Sequence, residues 1–473
     1  MSLIQITKKS FLIICSFFLL WYLTSTYYYE QELLSYKNEE KLTAVNLTYP
    51  STLLPNTTPT STPDESYTTS FNSLKELNKK FCGKPKCKFL FAYALREQET
   101  KANMHFRSFC QLAEKLDRIM VLTNVGSSRI GTCHNFPFDF YYNTKLIQEV
   151  FPKVQFKSEN EFSYWLKERD LLKKKLNDDE DDEVIPPLSV FHSYIKLHRN
   201  THNRSYYDDS EINYDFGCIS KFEPSMNLED PKNSKVKYTK YYIDESDLMS
   251  ERRRIKFSES FSKTFTMNDD ILFMNANVIH PLFPQEMPII PYSEYILNEA
   301  KRIKNKLSSS YIAIHWRLEQ SNPTLLPECA QGLIMTLKKV MKEEGIKNIY
   351  LATDYPLTSS KSQSDTFTSI TNYHHEAIRA INETFKINTW VSLGGLKQLR
   401  ENRLYNEELG GPGIQGILDK LVCVNANYFI SGPEGCSRVV STFTKVIVSE
   451  RNERLKNRDH SLLNTIDRWQ MPL

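Results

Sequence analysis

Residues 311–319 read Y-I-A-I-H-W-R-L-E, and this stretch decides the fold. Tyr311, Ile312 and Ile314 give it the β-branched and aromatic character of a short buried strand. His315, Arg317 and Glu319 then fall at alternate positions, which share one face of an extended chain. A strand end that turns from apolar to ionisable within three residues is where open α/β sheets put their ligand groups, in the crevice beyond the carboxyl ends of the strands. Arg317 is the first candidate. Its planar guanidinium can grip a phosphate oxygen through two charge-assisted hydrogen bonds, and it stays protonated while a phosphate leaving group departs. The plainer alternative is an arginine paired locally with Glu319.

Two later stretches have the same form. Asn348–Pro356 reads N-I-Y-L-A-T-D-Y-P, an apolar strand ending in Thr353 and Asp354. Tyr428–Glu450 reads Y-F-I-S-G-P-E-G-C-S-R-V-V-S-T-F-T-K-V-I-V-S-E, a strand, a Gly/Pro loop and a Ser/Thr-rich helix start. Between and after them, helices are predicted over 328–343, 365–385, 413–422 and 441–455, with strands near 388 and 426. Such alternation predicts a parallel sheet covered on both faces. Upstream, K-F-L-F-A-Y (88–93) reads as a buried strand, 94–103 as a loop, 104–116 as a helix and 118–122 as a second strand, the opening unit of a nucleotide-type fold. The reading is an α/β protein of GT-B type, with two facing Rossmann-like domains over 82–300 and 301–473. Pro281–Pro291, with its four prolines, connects them, and 295–307 reads as a helix leading into the central strand.

In this order and spacing, the H-x-R strand end, the A-T-D strand end and the S-T-F-T helix start resemble the GDP-fucose protein O-fucosyltransferases and their plant and fungal relatives, whose helix start reads S-S-F-[ST]. The resemblance covers residues 305–455 well and 85–125 weakly. The family's Gly-rich first loop is missing, and Arg96, Glu97, Glu99, Lys101 and Asn103 stand in its place. The resemblance implies an inverting transfer of fucose from GDP-fucose to a Ser or Thr hydroxyl of a protein acceptor, with no cofactor beyond the donor. By the same likeness Asp354 takes part in donor recognition, where a carboxylate can accept hydrogen bonds from a guanine edge. Its alternative is a structural cap. His315 lines the nucleotide pocket or is a near-core residue.

The phosphate end has its own physical rationale. Free N–H groups and hydroxyls at the helix start Ser441, Thr442, Phe443 and Thr444 make an anion site that needs no metal, although Ser and Thr also serve as ordinary helix caps. Charge growing on the departing β-phosphate would be met by Arg317 and this helix start. No metal-binding D-x-D triplet follows a strand; Asp179, Asp181 and Asp182 belong to an acidic run. A carboxylate near the acceptor hydroxyl could serve as base, with Glu97 and Glu99 as candidates and Glu319 as an outsider. Rival readings are a related GT-B enzyme with a glycan acceptor or another sugar nucleotide, and a non-catalytic membrane-anchored binding protein of the same fold.

The N-terminus points to a secretory setting. Residues 10–29 carry no charge and are enough to span a bilayer, with 1–9 as a cytosolic tail and Lys8 and Lys9 on the inner side. A cleaved signal peptide is the alternative. Residues 30–81, rich in Ser, Thr and Pro, read as a stem. The expectation is a single-pass type II protein of the Golgi or ER membrane with its body in the lumen. Beyond Cys15, eight cysteines allow up to four disulfides, Cys82 and Cys87 being close enough to staple a loop. Sequons stand at Asn46, Asn56, Asn203 and Asn382. The net charge of +3 on 473 residues gives no reason to invoke nucleic acid. The charged run 167–183 and Arg252–Arg254 read as solvated surface.

Overall fold

The computed structural model describes residue 69 and residues 71–471, except for 96, 179–183, 199–205, 209–216, 223–224, 227–234, 279, 285–288, 308–309, 320, 358–361, 363, 365–366, 368, 395–406 and 439–440. The expected tail 1–9, the apolar segment 10–29, the sequons at Asn46, Asn56 and Asn203 and the acidic run therefore lie outside the described residues. Among the described residues no helix is long and apolar enough to cross a membrane.

Folded chain begins earlier than the stem boundary at 81 implied. Helix α1 (Leu74–Cys82) is capped by Ser73, whose hydroxyl accepts the Glu76 amide, and it ends at Gly83 with φ 72°. Leu74 and Leu77 share one face of the helix and, with Phe71 just before it, pack into the first core with Phe89, Phe91 and Trp165. Few apolar residues mark this segment, but all of them face inward. The Cys82–Cys87 disulfide then closes the turn into the sheet.

Among the described residues the first sheet has nine strands: β1 (Phe89–Leu95), β2 (Ile119–Leu122), β3 (Val125–Gly126), β4 (Arg129–Gly131), β5 (Phe156–Ser158), β6 (Ser189–His198), β7 (Tyr206–Asp208), β8 (Lys235–Asp244) and β9 (Ile271–Asn277). Its main path runs β3-β4-β1-β9-β6-β8-β7, with β2 and then β5 added beside β1. Strands β1, β2, β5, β6, β8 and β9 are mutually parallel, while β3, β4 and β7 pair antiparallel. Its helices are α2 (Glu99–Lys115), α3 (Thr144–Val150), α4 (Glu159–Asp178), α5 (Glu245–Met249) and α6 (Glu251–Thr264). Part of the charged run 167–183 is thus the second half of α4, which buries Leu172 and Leu176.

The second sheet is wholly parallel, in the order β12-β11-β10-β13-β14, built from β10 (Tyr311–Trp316), β11 (Asn348–Thr353), β12 (Ile387–Asn388), β13 (Tyr428–Ser431) and β14 (Asp467–Arg468). Helices α7 (Glu294–Lys306), α8 (Leu326–Glu344), α9 (Asn372–Thr384), α10 (Pro412–Asn425) and α11 (Thr442–Lys456) accompany it. Every residue of β10 is buried, as expected of a central parallel strand covered on both faces. Helix α7 packs along α10. It therefore goes with the second sheet, which with its helices forms the second lobe.

Three disulfides are present among the described residues: Cys82–Cys87, Cys133–Cys218 and Cys329–Cys436. The fourth that the count allowed does not form. Cys110 in α2 and Cys423 in α10 are free, buried thiols, and burial pushes both well above the usual thiol range.

Candidate functional site at the carboxyl edge of the second sheet

The three quoted motifs leave neighbouring strands on the same side. In register, His315 of β10 lies opposite Ala352 of β11 and Ser431 of β13. The chain beyond each strand then builds the edge. Trp316 donates its indole N–H to the Cys436 carbonyl at 2.9 Å, and the Ser437 hydroxyl accepts the Arg317 amide at 3.2 Å while donating to the Arg317 carbonyl at 3.0 Å. The Arg438 amide donates to that carbonyl as well, at 3.3 Å. The Gly/Pro loop after β13 thus continues the sheet by side-chain and backbone bonds. Gly432 permits this approach, because a Cβ there would lie 2.9 Å from the Trp469 ring and closer still to Ser437.

Arg317 is ion-paired. Its Nε donates to Glu319 Oε2 at 2.9 Å, Nη2 reaches the same oxygen, and Asp354 Oδ2 lies 3.9 Å from Nε. The local Arg317–Glu319 pairing, the plainer alternative, is therefore present. Among the described residues Nη1 has no hydrogen-bond partner, and with the side chain 18% exposed the guanidinium still offers a donor outward.

Asp354 accepts the Leu318 amide at 2.8 Å and the Glu319 amide at 3.0 Å, one on each oxygen. The carboxylate caps the turn that follows β10, the structural alternative of the two considered. Burial pushes its pKa up to about 6, against the opposing pull of those two amides and Arg317. Each oxygen keeps a second lone-pair direction for a ligand.

His315 joins the strand to the helix tip. Its Nδ1 is 2.9 Å from the Thr444 hydroxyl, and its ring lies 4.7 Å from that of Phe443, centroid to centroid. Burial, with Arg317 nearby, lowers its pKa to about 3, so the ring is neutral at physiological pH. Ser441 is the N-cap of α11, its hydroxyl accepting the Thr444 amide. Both hydroxyls have local duties, leaving the first-turn amides of Thr442 and Phe443, which have no intrahelical acceptor, as the donors that can face an anion.

The two candidate bases part company. Glu97 is half-exposed and pairs with Lys101 at 3.2 Å. Glu99, placed by pattern in a loop, is instead the first residue of α2 and is buried. Lys420 of α10 donates to its Oε2 at 2.7 Å, and the hydroxyls of Tyr142 and Tyr292 donate to its Oε1 at 3.1 and 3.0 Å. A carboxylate so enclosed is a structural ion pair joining the lobes, not a free base. Lys420 also lies 6.0 Å from the Phe443 ring, which ties the pair to the helix tip.

Sequence reasoning missed Lys420, Ser437 and Arg438. The last two stood in the quoted Gly/Pro loop, where only the glycines and proline were weighed; nothing local marked Lys420. A depression of about 410 Å³ is lined in part by Tyr355, the residue after Asp354, and by His375 and the exposed sequon residue Asn382.

Several solved structures are similar to this chain at low identity. POFUT1 in complex with GDP-fucose is 14% identical, with 83% of this chain and 100% of that chain covered and a TM-score of 0.39. The apo form of POFUT1 is 13% identical over 78% and 95% of the two chains, with the same score of 0.39. The fucosyltransferase NodZ from Bradyrhizobium is 10% identical over 77% and 92%, with a TM-score of 0.35. At this distance no residue role is carried across. No family model and no curated protein matches the sequence.

Proposed function

We propose that this chain is an inverting glycosyltransferase that moves fucose from GDP-fucose to the hydroxyl of a protein Ser or Thr. The observation that carries the reading is that one edge of a parallel sheet holds an arginine with an outward donor, a neutral histidine and a helix first turn whose Thr442 and Phe443 amides have no intrahelical acceptor, in the order of motifs that the sequence resemblance named. Loss of the nucleotide from the sugar gathers negative charge on the β-phosphate. In this reading Arg317 and the amides of Thr442 and Phe443 are the donors that meet it, held by the strand end and the helix start that carry them. In this reading they take the role a divalent ion plays in other transferases. Glu97 is left as the candidate base, since Glu99 is enclosed.

The enclosure of Glu99 favours a second reading, a binding protein of the same fold without turnover. Both are tested with the full-length chain. GDP should raise its melting temperature and UDP should not, and GDP should be released from GDP-fucose when a peptide is supplied. Stabilisation by GDP without release supports the binding protein; release only with an oligosaccharide moves the acceptor to a glycan; stabilisation by UDP alone sinks both. A lumenal position behind an anchor at 10–29 belongs to the same proposal. Three disulfides support it, and protection of the body from protease in sealed microsomes tests it.

A further inference from the structure

Glu319 is 2% exposed, yet two arginines from distant parts of the chain converge on it. Arg317 occupies Oε2, and Arg438 Nη1 donates to Oε1 at 3.3 Å. Ser364 Oγ adds a bond to Oε2 at 3.0 Å. The backbones carrying the two arginines are themselves tied by the Ser437 and Arg438 bonds to the Arg317 peptide. The relative position of the two guanidiniums is therefore fixed at both ends, by main chain and by a shared carboxylate.

What this leaves over is directional. Among the described residues Arg438 Nε and Nη2 and Arg317 Nη1 have no hydrogen-bond partner, and the side chains are 34% and 18% exposed. Two guanidiniums and the carboxylates of Glu319 and Asp354 cancel in formal charge, so the cluster exerts little long-range pull. A ligand it favours must bring closely spaced acceptors of its own, as a diphosphate does. A knot serving structure alone has no need of outward donors on both arginines. Glu319, by holding each fork, reduces the rotamer freedom lost when an anion is gripped.

We infer that Arg438 is a second anion-binding residue of this site, and that Arg317 and Arg438, aligned by Glu319, together receive the two phosphates of a diphosphate. This rests on reading the sheet edge as a phosphate site, and adds a residue outside the three motifs.

Calorimetric titration of the full-length chain with GDP, guanosine and inorganic pyrophosphate separates the possibilities. Arg438→Gln should weaken GDP and pyrophosphate by roughly ten- to a hundredfold while leaving guanosine unchanged, with partial recovery in Arg438→Lys. A melting temperature like wild type's would exclude a folding effect. Undiminished GDP binding by Arg438→Gln, alongside loss in Arg317→Ala, overturns the inference and spares the proposed function. Pyrophosphate binding that depends on Arg438, in a wild-type chain indifferent to GDP, does the reverse. A wild-type chain that binds neither overturns both.

Discussion

Glu99 and Lys420, 321 residues apart, meet at 2.7 Å with both side chains almost wholly buried. One begins the helix after β1 in the first lobe, and the other lies in α10 of the second. The lobes are therefore joined by a charge pair that neither can satisfy alone.

Removing one partner should be costly. Glu99→Gln or Lys420→Met should each destabilise the chain by about 3–5 kcal/mol, since each strands a buried charge. The double variant should lose less than the two singles combined. Urea unfolding measures all three; additive losses would mean the side chains do not act as a pair.

Arg317→Ala should reduce transfer by at least about a hundredfold. Glu319 keeps Arg438 and Ser364 in that variant, so the melting temperature should change little. Near-normal turnover in a folded variant would remove Arg317 from the chemistry.

Asp419 gives a pH prediction. It is buried in α10, accepting a hydrogen bond from Tyr350 at 2.6 Å, and burial pushes its pKa up to about 8. The unfolded value is about 3.9, so between these limits the native state holds the extra proton and stability falls as pH rises. Asp419→Asn keeps an acceptor for Tyr350 but cannot ionise. Its stability relative to wild type should increase from pH 5 to pH 8 in chemical denaturation. Parallel curves for the two proteins would contradict this.

The Cys329–Cys436 disulfide anchors the loop that carries Ser437 and Arg438 to helix α8. Paired serine substitutions there should lower stability by about 2–4 kcal/mol and weaken GDP binding along with it. Unchanged GDP binding in that variant would show that the loop keeps its place unaided. Cys110 and Cys423, being buried, should stay unreactive to thiol reagents until the chain unfolds.

The second sheet was legible in the sequence and the first largely was not. Strands β10, β11 and β13 are covered on both faces and read as apolar runs. Strand β8 instead alternates, burying Thr239, Tyr241 and Ile243 between half-exposed neighbours, and lysines broke up its signal. Helix α2 starts five residues before the pattern suggested, because its first turn is charged and polar: Glu99 there accepts from Lys420 through its carboxylate, and its amide donates to the Ser128 hydroxyl. At the site, the Arg317–Glu319 pairing was visible as two residues on one face. Its extension to Arg438 was not, since it depends on how the loop after β13 folds back.

The last described residues brace the edge from beneath: Trp469 sits 5.5 Å from Trp316, ring centre to ring centre, and Met471 touches Cys436. A truncation after α11 would thus pull away the floor under the arginine-bearing strand.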